Sequence, residues 1–344
     1  MNYSKMTIAA AAVASIAFTG AAQARDQIQI VGSSTVFPFS TLVAEQFGKT
    51  TEFKTPVVES TGSGGGMKLF CAGIGLEHPD ITNASRRIKS SEFEKCTTAG
   101  ITITEVKIGY DGIVLANSND APTYELTRQQ IYLALAKQVP NDDGVLVDNP
   151  NNMWSDIDPS LPSVEIEVLG PPPTSGTRDA FVELVMRKGA RKFDMLNTLR
   201  GEDKKAFRAI SDTMREDGKF VEAGENDNLI VQKLEANPNA LGIFGFSFLE
   251  ENRDKVHGSV VEGNTPTFES IAAGDYPVSR SLFFYVKNEH VGVVPGIKEF
   301  VAEFVAEKAV GPEGYAIDKG LIPLPDADRE AMREGALALT PLTM

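Results

Sequence analysis

The sequence is poor in the residues that most often carry metal and redox chemistry. It holds two cysteines, Cys71 and Cys96, and three histidines, His78, His257 and His290, in 344 residues. The cysteines are too far apart for a C-x-x-C redox motif. The histidines are scattered without metal-ligand spacing and read as ordinary surface or loop residues. A basic stripe is missing and the formal charge is −14, which argues against a nucleic-acid partner. No apolar run reaches the roughly 20 residues that a membrane-spanning helix needs. There is no internal repeat, no G-x-S-x-G elbow, and no Lys-Ser/Thr ending on the glycine run at 62–66 that would make it a P-loop. The single tryptophan, Trp154, lies in a polar stretch and reads as a partial anchor.

What is present begins with a targeting segment. Lys5 supplies a positive start, Thr7 to Phe18 is apolar, and Ala22-Gln23-Ala24 is a small-residue cleavage site. Cleavage is expected between Ala24 and Arg25. The cysteine that would carry a lipid anchor is absent from this site, so the processed chain is expected to be free rather than membrane-anchored. Lys5 is the one charge in that segment, so its removal takes the charge from −14 to −15. About 320 residues remain, enough for two domains. Two cysteines in an exported chain point to a Cys71–Cys96 disulfide, worth about 3 kcal/mol in the loop-entropy model. Two separate buried thiols are the alternative.

Strand-like and helix-like stretches alternate, which predicts an α/β fold. Residues 27–31, 55–59 and 164–169 read as strands. Residues 39–47, 67–72 and 178–188 read as helices, as does a segment around Phe300, Val301, Phe304 and Val305. Residues 141–163 read as a long surface loop, and 242–249 as a buried strand with its flanking turn.

Three segments share one design, with small hydroxyl or glycine residues set between a strand and a helix. They are Gly32-Ser33-Ser34-Thr35-Val36, Thr61-Gly62-Ser63-Gly64-Gly65-Gly66 and Thr174-Ser175-Gly176-Thr177. The first amides of a helix lack intrahelical partners, and the helix dipole places partial positive charge there. Hydroxyls add donors, and glycine lets a ligand approach the backbone. Any one such segment reads equally as a helix cap. Three of them converging on one cleft would hold an oxyanion.

Six motifs then occur in order. They are Gly32-Ser33-Ser34-Thr35-Val36 with Pro38, Gly62-Ser63-Gly64-Gly65-Gly66-Met67-Lys68, Asp80-Ile81 with Ala84-Ser85-Arg86, Tyr110-Asp111-Gly112-Ile113-Val114, Ser175-Gly176-Thr177-Arg178-Asp179-Ala180-Phe181, and Tyr276-Pro277-Val278-Ser279-Arg280. Together, from about residue 28 to 325, they resemble the periplasmic phosphate-binding proteins of ABC-type importers, which are type II periplasmic binding proteins. The resemblance implies a two-lobed α/β fold whose two crossing strands act as a hinge. The expected lobes are 25–112 with 281–344, and 113–280, after a signal peptide over 1–24. It also implies a periplasmic monomer that binds inorganic phosphate, uses no cofactor, and docks on a membrane permease.

Carried over by position, the first loop gives Ser34, Thr35, Val36 and Phe37, the second Ser63 and Gly64, and the third Ser175, Gly176 and Thr177. Two positions depart from the family pattern. An Asp that accepts the phosphate proton is replaced by Ser85, and an Arg four residues before Ser175 is replaced by Pro171. Arg86 and Arg178 are the candidates to restore positive charge, because a guanidinium suits bidentate oxyanion contacts. Asp111 is the candidate proton acceptor; a hinge Asp bonded to backbone is the other reading. Two further functions stay open. One is a sulfate or other oxyanion binder, or a phosphate sensor. The other is a hydrolase using Ser34, Ser63 or Ser175, each of which would need an activating base.

Overall fold

The computed structural model describes residues 25–173, 175–223 and 227–344. The targeting segment 1–24 with its cleavage site, and Thr174 of the third segment, lie outside the described residues. Strands β1 (Gln29–Gly32), β2 (Val57–Ser60) and β3 (Ile81–Ala84) precede the 16-residue β4 (Ile103–Ser118). Short strands follow: β5 (Glu125–Leu126), β6 (Gln138–Pro140) and β7 (Leu146–Asp148). A second set comprises β8 (Val168–Gly170), β9 (Phe220–Glu222) and β10 (Leu241–Gly245). β11 (Val256–Gly258), β12 (Val260–Val261) and β13 (Ser279–Lys287) complete the series.

The main sheet runs β2-β1-β3-β13-β4-β10-β8-β9, with β11 also on β4. Its centre is one strand doing two jobs. Ile103 to Gly112 of β4 pairs antiparallel with β13, whereas Ile113 to Ala116 pairs with β10. β1, β2 and β3 are mutually parallel on one side, and β8, β9 and β10 on the other. A bulge interrupts the β4–β13 ladder beside Gly109, whose φ is +150° and whose missing Cβ would lie 2.4 Å from the Ile322 carbonyl oxygen. Only glycine fits there, and bulges of this kind bend a strand.

The side chains divide accordingly. One lobe buries a cluster including Ile28, Phe47, Ile108, Phe284 and Phe300, with a smaller one around the disulfide that includes Met67, Phe70, Cys96 and Tyr285; the other gathers Tyr110 through Val278 with Ile322 and Leu324. These are the cores of two lobes. In the first, the helix Phe37–Thr50 carries Pro38 in its opening turn and buries Phe39, Val43 and Phe47 at four-residue spacing. Phe47 meets Phe300 edge-on at 5.6 Å, on the helix Ile297–Phe304. Cys71 and Cys96 form the expected disulfide, joining the helices Ser63–Phe70 and Ser90–Thr98 at their ends.

Several sequence expectations need correction. The stretch 141–163 is not one loop: it contains β7 and the helix Trp154–Ile157, and Trp154 is wholly buried against Tyr124. The turn expected after the strand near 242 is the helix Phe246–Glu251. His290 is not a surface residue. It is buried with Nδ1 2.5 Å from Asp80 Oδ1 and Nε2 3.0 Å from the Ile74 carbonyl oxygen. Arg25 also bonds Asp80, and the buried Lys287 donates to the Gly73 carbonyl at 2.6 Å. Polar side chains thus hold the segment after the disulfide, and buried charges there come with partners, as desolvation demands.

Burial pushes the Lys287 ammonium down to about 8. Between that value and the ordinary lysine range the unfolded chain binds the extra proton, so folding stability rises with pH across this window. Denaturant unfolding at several pH values from 7.5 to about 10 should show that rise, and Lys287→Met should flatten it. An unchanged slope in the variant would contradict the assignment.

Candidate functional site

The carboxyl ends of both parallel strand sets face the gap between the lobes, where ligands of open α/β sheets bind. Residues 34–35, 38–39, 111, 176–177, 245, 247–248, 251 and 317–320 line a cleft of about 460 Å³. Ser34, Thr35, Asp111, Gly176 and Thr177 were expected from the sequence; Ser247, Glu251 and Lys319 were not.

The first loop is narrower in function than its length suggests. Val36 is fully buried and its amide leans on Ser33 Oγ at 3.4 Å, while the Phe37 amide donates to the Ser33 carbonyl at 3.0 Å. Those two amides serve the turn itself, and Ser34 and Thr35 face the cleft. In the second loop, Ser63 Oγ accepts from the Ser85 amide at 3.1 Å and lies 3.2 Å from Ser85 Oγ. The structure therefore brings Ser63 and Ser85 together. Gly66 is glycine because a Cβ there would lie 2.6 Å from Gly32 Cα. Gly64 and Gly176 have no such packing reason, since open space surrounds the position a Cβ would take at each. In the third loop Ser175 caps the following helix, its Oγ accepting from the Thr177 amide at 3.2 Å.

The two arginines carried over from the motifs are otherwise engaged. Arg86 makes a bidentate pair with Glu92 at 2.8 and 2.9 Å, and these bonds hold its pKa above the ordinary guanidinium range. Arg178 donates to the Pro171 carbonyl at 3.2 Å and stacks on Phe220, 4.5 Å from the ring centroid. Burial pushes its pKa down, and it borders a separate cavity with Asp212 and Glu222 rather than the cleft.

Lys319 lies on the cleft wall, and a second, buried cation, Arg280, stands just behind it, bonded to the wall residues Thr35 and Asp111. The Arg280 side chain is 8% exposed, at the start of β13 where the strands cross between lobes. Nη2 donates to Thr35 Oγ1 at 2.5 Å, Nε to Asp111 Oδ2 at 3.1 Å, and Nη1 to Glu183 Oε2 at 2.9 Å. The ladder places Arg280 directly opposite Asp111. Arg280 closes the Tyr276-Pro277-Val278-Ser279-Arg280 motif, which by itself assigns it no role. The available signal was positional: a basic residue between two serines, Ser279 and Ser281, ahead of the apolar run Leu282-Phe283-Phe284-Tyr285-Val286.

Two α/β lobes on shared strands, with hydroxyls, helix starts and a guanidinium between them, define the class: a two-lobed solute-binding protein. The model of the PBP superfamily domain matches residues 18–308. Protein SphX of Synechococcus elongatus is 29% identical over 326 residues, covering 93% of this chain and 84% of that protein. The phosphate-binding protein PstS of Staphylococcus saprophyticus is 31% identical over 306 residues, covering 86% and 80%. The crystal structure of a possible phosphate binding protein from Planctomyces limnophilus superposes with a TM-score of 0.71 at 27% identity, covering 91% and 98%. The chain belongs to the PBP superfamily and, within it, to the family of phosphate-binding proteins.

Arg280→Met would leave the Asp111 carboxylate, 15% exposed, without its cationic partner. The expected loss is about 3 kcal/mol in urea unfolding, the scale for breaking a buried pair from one side. Unchanged stability would contradict the role of Arg280 as a structural hub.

Proposed function

We propose that this chain is the solute-binding component of an ABC-type importer, and that it captures inorganic phosphate between its lobes. The observation that carries this reading is the placement of Arg280 beside Thr35 and Asp111 at the lobe crossing, on a cleft that also receives the Gly176–Thr177 helix start. The guanidinium supplies charge, Ser34, Thr35 and Thr177 supply hydroxyls, and the helix start adds its dipole. Ser63 and Ser85, paired with each other, would join as the lobes approach. The hinge lies at the change of pairing partner in β4, between Gly112 and Ile113, and at its neighbours Val278 and Ser279. The lobes, 25–112 with 281–344 and 113–280, meet within two residues of these points and close by a hinge motion.

The chain works outside the inner membrane as a monomer and delivers its ligand to a permease. The targeting segment supports export, and no helix among the described residues is long and apolar enough to cross a membrane. For two of the three candidate serines the bonding supports binding without turnover. Ser63 Oγ accepts from the Ser85 amide, and Ser175 Oγ accepts from the Thr177 amide; neither partner is a base that would activate a nucleophile.

Asp111 selects phosphate over sulfate. Oδ2 accepts from Arg280, which leaves Oδ1 to accept the proton that phosphate carries near neutral pH and sulfate lacks. A site built around an acceptor rejects a ligand that cannot donate to it. Calorimetry on residues 25–344 should show one phosphate bound per chain and sulfate at least about a hundredfold weaker. Asp111→Asn should shrink that ratio by about tenfold or more. Equal affinity for both anions in the unaltered chain would overturn the phosphate assignment.

A further inference from the structure

Arg280 meets two carboxylates, and they are not equivalent. Asp111 is its cross-strand neighbour, short, and 15% exposed. Glu183 reaches Arg280 from the second lobe, on a longer side chain that is 52% exposed. It stands on a π-helical turn, Val182–Met186, set between the helical segments Gly176–Phe181 and Arg187–Ala190. A π turn adds a residue to the helix and rotates the side chains after its start, and such turns recur at functional sites.

A guanidinium offers an oxyanion its flat edge, two N–H groups side by side. On Arg280 the outer Nη edge is divided: Nη2 holds the Thr35 hydroxyl, and Nη1 holds Glu183. Asp111 already balances the positive charge from the Nε side. With Glu183 added, the group carries two negative charges against one positive. An approaching dianion is repelled for as long as Glu183 stays.

We propose that Glu183 is a built-in competitor for the anion: carboxylate and ligand use the same edge of Arg280, and binding requires Glu183 to leave it. The departing carboxylate has somewhere to go. Arg86 and Arg187 are already paired with Glu92 and Asp212, so Glu183 turns toward solvent on the side of Lys188, and its exposure keeps the cost of rotation small. The affinity of the cleft is thereby set below what its donors alone would give, which favours release. This inference rests on the reading that a tetrahedral oxyanion binds beside Arg280.

The test is Glu183→Gln, which keeps size and an acceptor oxygen and removes the charge. Phosphate and sulfate are titrated calorimetrically into the unaltered chain and the variant. Both anions should bind about tenfold more tightly to the variant, with their ratio unchanged. Glu183→Asp, which keeps the charge and shortens the reach to Nη1, should tighten both as well, and provides the same test if the first variant folds poorly. Weaker phosphate with tighter sulfate would make Glu183 the proton acceptor and overturn the proposal. Unchanged affinities in the variants of a chain that binds phosphate would also overturn it, while leaving the receptor reading intact. Binding of neither anion by any of the three proteins would overturn both.

Discussion

The cleft is organised by a guanidinium held at the crossing of the two lobes. Arg280 stands where β13 meets the midpoint of β4, so its backbone is fixed by a ladder that serves both halves of the molecule. Its side chain is mostly buried, and a charge that is out of water must be paired. Thr35 from the first lobe, Asp111 from the crossing strand and Glu183 from the second lobe supply that pairing. The same bonds that satisfy the cation therefore bring groups from three parts of the chain to one point. Removing the cation would cost stability and would also unfasten the site.

This arrangement explains how a chain with a formal charge of −14 presents a place for an anion. Exposed charges beyond about 8–10 Å are screened by salt at physiological strength, whereas a poorly hydrated guanidinium and oriented amides act at contact range. Net charge then governs solubility and leaves recognition to local dipoles. The cleft wall itself carries Glu251 and Asp318 along with Lys319, so the acidity extends to its rim. Selectivity for an anion depends on which carboxylates face the ligand and which of them can move aside.

Much of this was legible in the sequence. The alternation of strands and helices predicted the fold class, and the family motifs predicted the two-lobed form. Strand and helix segments fell within a few residues of their observed positions. The exported, two-cysteine reading predicted the Cys71–Cys96 pair. Thr35, Gly176 and Thr177 could be named because hydroxyls and glycines before a helix have a local physical meaning; Asp111, on a strand, was named only through the family resemblance and its departure at Ser85. The cation could not be placed that way. Arg86 and Arg178 looked eligible by adjacency, but Glu92 lies close enough to pair with one, and Phe220 with the Pro171 carbonyl holds the other. These partners are set by tertiary packing, and Phe220 is 42 residues from Arg178 in sequence. The burial of His290 is hidden for the same reason: its partners, Asp80 and Ile74, lie more than 200 residues away. The 317–320 wall of the cleft carries no pattern at all; it arrives because Ile322 pairs with Tyr110 beside the bulge at Gly109.

The most direct test of the account is a crystal structure of residues 25–344 grown with phosphate. One tetrahedral anion is expected between the lobes, within hydrogen-bond distance of Thr35 Oγ1, the Thr177 hydroxyl and Arg280, with Glu183 turned away from Nη1. An anion lodged instead beside Arg178 and Arg187 in the neighbouring cavity, or held by one lobe without contact to Arg280, would contradict it.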